Sequence, residues 1–127
     1  MANTHAFIGL TFLEEGRLKD ALAEMEKEVH PFWRKYGLTL VYYALRRKEE
    51  SDTLLGELAA AYQKDAPKQI AEIYAFRGET DRAFEWLRRA LADRDPGLIE
   101  IKGDPLLKGL QRDRRYAALL QAMGLPL

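Results

Sequence analysis

Ile70 to Pro96 reads IAEIYAFRGETDRAFEWLRRALADRDP, and its pattern decides the fold class. Ile70, Ile73, Tyr74 and Arg77 recur at helical spacing, and Ala71 is small where a neighbouring helix could approach closely. Gly78 stops that helix. After Glu79 and Thr80, the residues Ala83, Phe84, Leu87, Ala90 and Leu91 recur at three- and four-residue steps, with Arg and Asp on the opposite face. Asp95-Pro96 ends the run. The stretch predicts two amphipathic helices joined at a glycine.

Working outward, Asn3 to His30 has the same form. Ile8, Gly9, Phe12 and Leu13 make one apolar stripe, Gly16 breaks it, and Leu18, Ala21, Leu22, Met25 and Val29 make a second. Proline disfavours helical geometry in the residue before it and suits a first helical turn, so a new helix is expected near Pro31. It carries Tyr36, Leu38, Leu40, Val41, Tyr42 and Leu45 and yields near Arg46-Arg47. A further helix is expected from about Glu49 to Gln63, with Leu54, Leu55, Leu58, Ala59 and Tyr62 on its buried side. Asp65 is an available N-cap for the helix that follows.

Beyond Pro96, GLIEIKG alternates like a short strand, but a lone strand in a helical chain has no partner, so a short helical turn is expected. Asp104-Pro105 has the form of an N-cap and a first helical residue, opening a short helix through Leu106, Leu107 and Leu110. Asp113 is expected to cap a last helix with Tyr116, Leu119, Leu120 and Met123 on one face, and Gly124 to terminate it.

Aligning the segments on their helix breaks puts Gly16, Arg46 and Gly78 in register, an internal repeat of a helix pair. Such pairs cannot bury both faces alone, and stacking supplies a continuous core. The register resembles the tetratricopeptide repeat, W-x2-L-G-x2-Y, then A-x3-F, then P. In the first unit His5, Ile8, Gly9, Phe12, Ala21 and Met25 occupy those slots. In the second they are Lys35, Leu38, Thr39, Tyr42, Ser51 and Leu55, and in the third Pro67, Ile70, Ala71, Tyr74, Ala83 and Leu87. The Trp slot is never Trp, and the closing Pro is displaced to Pro96 or absent.

The resemblance covers residues 2–96 and implies an all-α, tetratricopeptide-like solenoid of three antiparallel helix pairs in one domain, residues 1–127. The repeats fall at about 2–31, 32–64 and 65–96, and residues 97–127 form a C-terminal cap. The tail, RALADRDPGLIEIKGDPLLKGLQRDRRYAALLQAMGL, looks like the end of tetratricopeptide regions that close bacterial multidomain proteins, where such repeats follow a sensor, regulator or cyclase module. The first helix is expected almost at Met1 with no polar cap before it, which suggests the C-terminal piece of something longer.

Composition narrows the function. The 127 residues contain no cysteine, which excludes thiol nucleophiles, zinc fingers and redox pairs. Twenty basic residues balance twenty acidic ones, so net charge draws the chain to neither nucleic acid nor a membrane surface. No apolar run reaches the ~18 residues of a membrane-spanning helix, and MANTHAF lacks the basic start of a signal peptide, so a soluble, cytoplasmic protein is expected. The acidic first 30 residues and the basic last 26 differ in sign, which makes head-to-tail association conceivable beside the plainer reading of solvated faces.

Signals for an enzyme are poor. His5 and His30 lack metal-ligand partners at helical spacing, and the HExxH, GxSxG and P-loop patterns are missing. The carboxylates Glu14-Glu15, Glu24/Glu28 and Glu49-Glu50 are expected on wet helix faces. No catalytic, metal or cofactor site is assigned.

A binding surface is better supported. The resemblance implies that the first helix of each pair lines a concave groove, and the residues in those slots are apolar: Leu10, Leu13, Trp33, Tyr36, Leu40, Tyr43 and Phe76, together with Lys68. Phe32-Trp33 and Tyr42-Tyr43 are adjacent pairs that cannot each put both rings into one core. The expected function is therefore a non-enzymatic scaffold whose apolar groove takes an amphipathic helix or extended segment of a protein or peptide. Two other readings stand beside it. Tight repeats could rotate the rings inward, or the first helix pair could bury Phe7, Leu10 and Leu13 against another copy or an upstream domain. A chaperone-tail clamp is disfavoured, because Ala6, Leu10, Leu40 and Glu72 stand where cations and Asn are needed.

Overall fold

The computed structural model describes residues 4–125 and contains seven α-helices, two 3-10 helices and no strand among them. The expected start of the first repeat at residue 2, with its uncapped end at Met1, lies outside the described residues. The chain divides into two compact units, the first ending at Ala61 and the second starting at Tyr62.

In the first unit α1 (Thr4–Glu14), α2 (Leu18–Lys27), α3 (Pro31–Ala44) and α4 (Lys48–Tyr62) follow one another through short turns. Small residues bring the first two pairs together: Gly9, Ala21, Thr39 and Ser51 are all buried, and the Ser51 hydroxyl donates to the Thr39 carbonyl at 2.8 Å. Met25 fills the space left by two glycines. A β-carbon on Gly9 would come within 2.7 Å of its Cε, and one on Gly37 would also collide with it, so α1 and α3 approach α2 as closely as the missing side chains allow.

In the second unit α5 (Pro67–Phe76) and α6 (Thr80–Ala92) form the pair expected from the opening stretch. Ile70, Ala71, Ile73, Ala83, Leu87 and Ala90 are all inaccessible to solvent. A 3-10 helix at Pro96–Gly103, a second at Pro105–Leu110 and α7 (Arg114–Ala122) complete it. GLIEIKG is thus a helical turn, with Leu98 and Ile101 buried at three-residue spacing. Asp104 and Asp113 cap as expected, accepting from the N–H groups of Leu106 and Arg115, each at 2.9 Å. Arg115, through its side chain and its backbone N–H, holds the Asp113 carboxyl down to about 2. Asp65 does not cap α5. Ala66 holds that position, and Asp95, arriving from beyond α6, accepts from the Lys68 N–H at 3.3 Å.

One turn recurs at the three positions aligned from sequence. Gly16, Arg46 and Gly78 have φ of 78°, 64° and 76°. In each, the left-handed residue donates to the carbonyl three back and its successor to the carbonyl five back, as in Gly16 to Leu13 and Arg17 to Phe12 at 3.1 and 2.9 Å. This is the Schellman C-cap, which satisfies two otherwise orphaned carbonyls. Arg94 and Gly124 end α6 and α7 in the same way.

Candidate partner-binding face

The first unit presents a cluster of four aromatic rings from α1 and α3. Phe32 is buried at the start of α3 and stacks on Tyr36 with ring centroids 6.0 Å apart. Trp33 stands edge-on to both, at 4.9 Å from Phe32 and 5.5 Å from Tyr36. Phe7 of α1 approaches Trp33 at 6.2 Å with its ring tilted. Phe32 and Tyr36 form the floor, while Trp33 is half-buried and Phe7 is 52% exposed. The adjacent Ile8 is 40% exposed, so α1 leaves an apolar edge uncovered.

A single carboxylate ties these two helices at their starts. Glu28 is 3% exposed. It accepts from the N–H of Ala6 in the first turn of α1 at 3.0 Å and from the N–H of His30, the cap residue of α3, at 3.1 Å. Burial pushes its carboxyl up, but the backbone N–H groups of His30, Ala6 and Val29 outweigh this and hold it below the usual range. Glu28 was expected on a wet face and is instead a buried double cap. Its neighbour Glu24 meets His5 at 2.9 Å and Lys27 at 3.3 Å. The His5 bond chiefly, against some burial, lowers the Glu24 carboxyl.

The expected groove residues divide. Leu10, Trp33 and Tyr43 are half-buried on α1 and α3, and Phe76 is half-buried on α5. Leu13, Tyr36 and Leu40 are buried at 8%, 2% and 0% exposure, which takes them out of reach of a partner. Around Leu40, α3 is buried on every side from Leu38 to Val41: Leu38, Leu40 and Val41 are apolar, and the Thr39 hydroxyl is satisfied by donating to the Lys35 carbonyl at 2.6 Å. Of the adjacent aromatic pairs, Phe32-Trp33 splits into one buried and one accessible ring. Both rings of Tyr42-Tyr43 stay half-accessible, with the Arg47 guanidinium 4.5 Å above Tyr42.

Lys68 is also removed from the groove. It is 5% exposed, with its ammonium 3.1 Å from Glu72 and 2.9 Å from Asp104. Burial opposes the charge on Lys68, but the two carboxylates hold its pKa above the ordinary value. This is a structural ion cluster that ties α5 to the second 3-10 helix.

Phe7 belongs to this face although only the self-association reading pointed to it. Position gave no help, because a ring one helix over reaches Trp33 only in three dimensions. Among the described residues no group of three His, Asp or Glu side chains is placed to hold a metal ion. No described helix is long and apolar enough to cross a membrane. Comparison with models of protein families, with characterised proteins and with solved structures gives no match to this chain.

Proposed function

We propose that the chain is a tetratricopeptide-like helical module without catalytic activity, which binds a protein or peptide segment on the α1–α3 face. The fold part of this reading rests on the recurrence of one C-cap geometry at Gly16, Arg46 and Gly78 and on the buried small residues in matching slots. The binding part rests on one observation: Phe7 and Trp33 lie on different helices, touch each other and remain open to solvent above a buried aromatic floor. Aromatic anchors of this kind supply large contact area at small entropic cost, which suits an apolar helix or extended segment.

A second reading uses the same residues. The exposure of both Phe7 and Ile8 on α1 favours a second copy of the chain as the partner. Sedimentation over a concentration range separates the two. A concentration-dependent dimer that Phe7→Glu abolishes supports self-association, and a strict monomer removes it. For a foreign partner, a photo-crosslinker at position 7 is expected to give one dominant product with a purified candidate, lost in Trp33→Ala. Equal crosslinking of parent and Trp33→Ala with unchanged helix content would remove this face as the site.

A further inference from the structure

The outer side of α1 is apolar and uncovered. Between His5 and Glu14 this helix carries no charged residue, and a helix without a polar face is ordinarily buried all round. The middle of α3 is, from Leu38 to Val41. By contrast, α1 buries Ala6, Gly9 and Leu13 and leaves Phe7 and Ile8 exposed. Thr4, Phe7, Ile8, Thr11 and Glu15 fall on its outer side at helical spacing, and none of them is buried.

That face is complementary to itself. Phe7 and Ile8 stand between the smaller Thr4 and Thr11, so an antiparallel copy sets large side chains against small ones, whereas a parallel copy in register sets Phe7 against Phe7. The Thr11 hydroxyl already donates to the Phe7 carbonyl at 3.2 Å, and burying it strands no donor.

Charge selects the same direction. Glu14 and Glu15 are exposed at the end of α1, and a parallel pair would crowd four carboxylates together. In an antiparallel pair the acids of the two copies lie at opposite ends of a helix about 15 Å long, beyond the screening length of about 8 Å at physiological salt. There they meet the start of the other α1, where the Lys27 side chain, 59% exposed, is bridged to His5 through Glu24.

We infer, resting on the self-association reading above, that the occupant of this face is the same face of a second copy, with the two α1 helices antiparallel about a twofold axis and Trp33 at the edge of the contact. One short helix with part of α3 is a small interface, so the dimer is weak and reversible.

The test is sedimentation of the full chain from about 10 µM to 1 mM, followed by crosslinking. A reversible dimer is expected, weakened at least about tenfold by Phe7→Glu. Thr11→Arg should act alike, and because Thr11 touches no ring its variant keeps the test sound should Phe7→Glu loosen Trp33. The chain has no cysteine, so Thr4→Cys and Glu15→Cys each introduce a single thiol. When the two variants are mixed, one of them isotopically labelled, and oxidised, the mixed disulfide is expected to dominate over either self-disulfide. A Glu15→Cys variant that crosslinks with itself as readily as with Thr4→Cys would overturn the antiparallel pairing and leave self-association standing. A dimer indifferent to both Phe7→Glu and Thr11→Arg forms elsewhere and overturns the proposal. A strict monomer removes self-association altogether and leaves the face to a foreign segment.

Discussion

The α1–α2 pair of the first unit and the α5–α6 pair of the second follow one pattern and end differently. Both first helices stop at a left-handed glycine with the same two hydrogen bonds, and both pairs meet at buried small residues. The outer side of α5 is closed by its own chain: Lys68 and Glu72 are buried against Asp104 at the start of the second 3-10 helix. In α1 the corresponding polar residues are missing, and Phe7 and Ile8 stay exposed. The pattern of a repeat fixes how the two helices of a pair pack, but not what covers them. The cover decides whether a surface is structural or available.

The largest expected effect tests the closed side. Lys68→Met leaves the Glu72 and Asp104 carboxylates buried together without their cation and should cost about 3–5 kcal/mol in urea unfolding. Adding Glu72→Gln and Asp104→Asn should recover much of that loss. If Lys68→Met alone is neutral, the cluster does not hold the cap to α5, and the contrast between the two pairs fails.

Next in size is the tight approach in the first unit. Gly37→Ala drives a methyl group into Met25, an overpacking cost of about 1–3 kcal/mol against a helix-propensity gain of about 1 kcal/mol. A net loss is expected, and it should shrink in a Met25→Ala background because the two changes share one space. Equal losses in both backgrounds would place the strain elsewhere.

Glu28 gives a pH-dependent test of the open side. Its carboxyl titrates lower in the folded chain than in the unfolded one, so it contributes stability that is complete above the unfolded value, about 4.3. That stability is lost as the pH falls through the folded value. Glu28→Gln can accept with only one oxygen and should cost about 1–2 kcal/mol near neutral pH, typical of a lost cap. Its deficit relative to the parent should narrow as the pH falls below the unfolded value and through the lower folded one. A deficit independent of pH would show that the charge is not what caps α1 and α3.

The smallest effects sharpen the shared turn. Arg46 occupies a left-handed position that costs a side-chain-bearing residue about 1 kcal/mol, so Arg46→Gly should stabilise by up to that amount. Gly78→Ala should destabilise by a similar amount. Thermal unfolding of both variants measures whether the two turns are interchangeable.

Much of the fold was legible in local pattern. The helix breaks at Gly16, Arg46 and Gly78, the caps Asp104 and Asp113, and the small-residue slots all fall where the sequence places them. Each depends on residues within a few positions of one another, so spacing carries the information. The candidate face was half legible. The adjacency of Phe32 and Trp33 forces one ring outward whatever the neighbours do, and Trp33 is that ring. Tyr36 and Leu40 fell on the same expected stripe yet are buried, because the stripe records angle around the helix and not what lies opposite it.

By itself, then, the sequence determined that this is an all-helical chain, where its helices stop and which small residues meet. Those choices are made by backbone conformation and helical period within one or two turns. Only the tertiary structure decided that Glu28 caps two helices at once, that Lys68 is neutralised by Asp104 rather than by a partner, and that Phe7 joins Trp33. These residues are 22 or more positions apart in each long-range pairing, from Glu28 with Ala6 to Lys68 with Asp104, so no periodicity encodes them. Burial and pairing arise only when the helices pack.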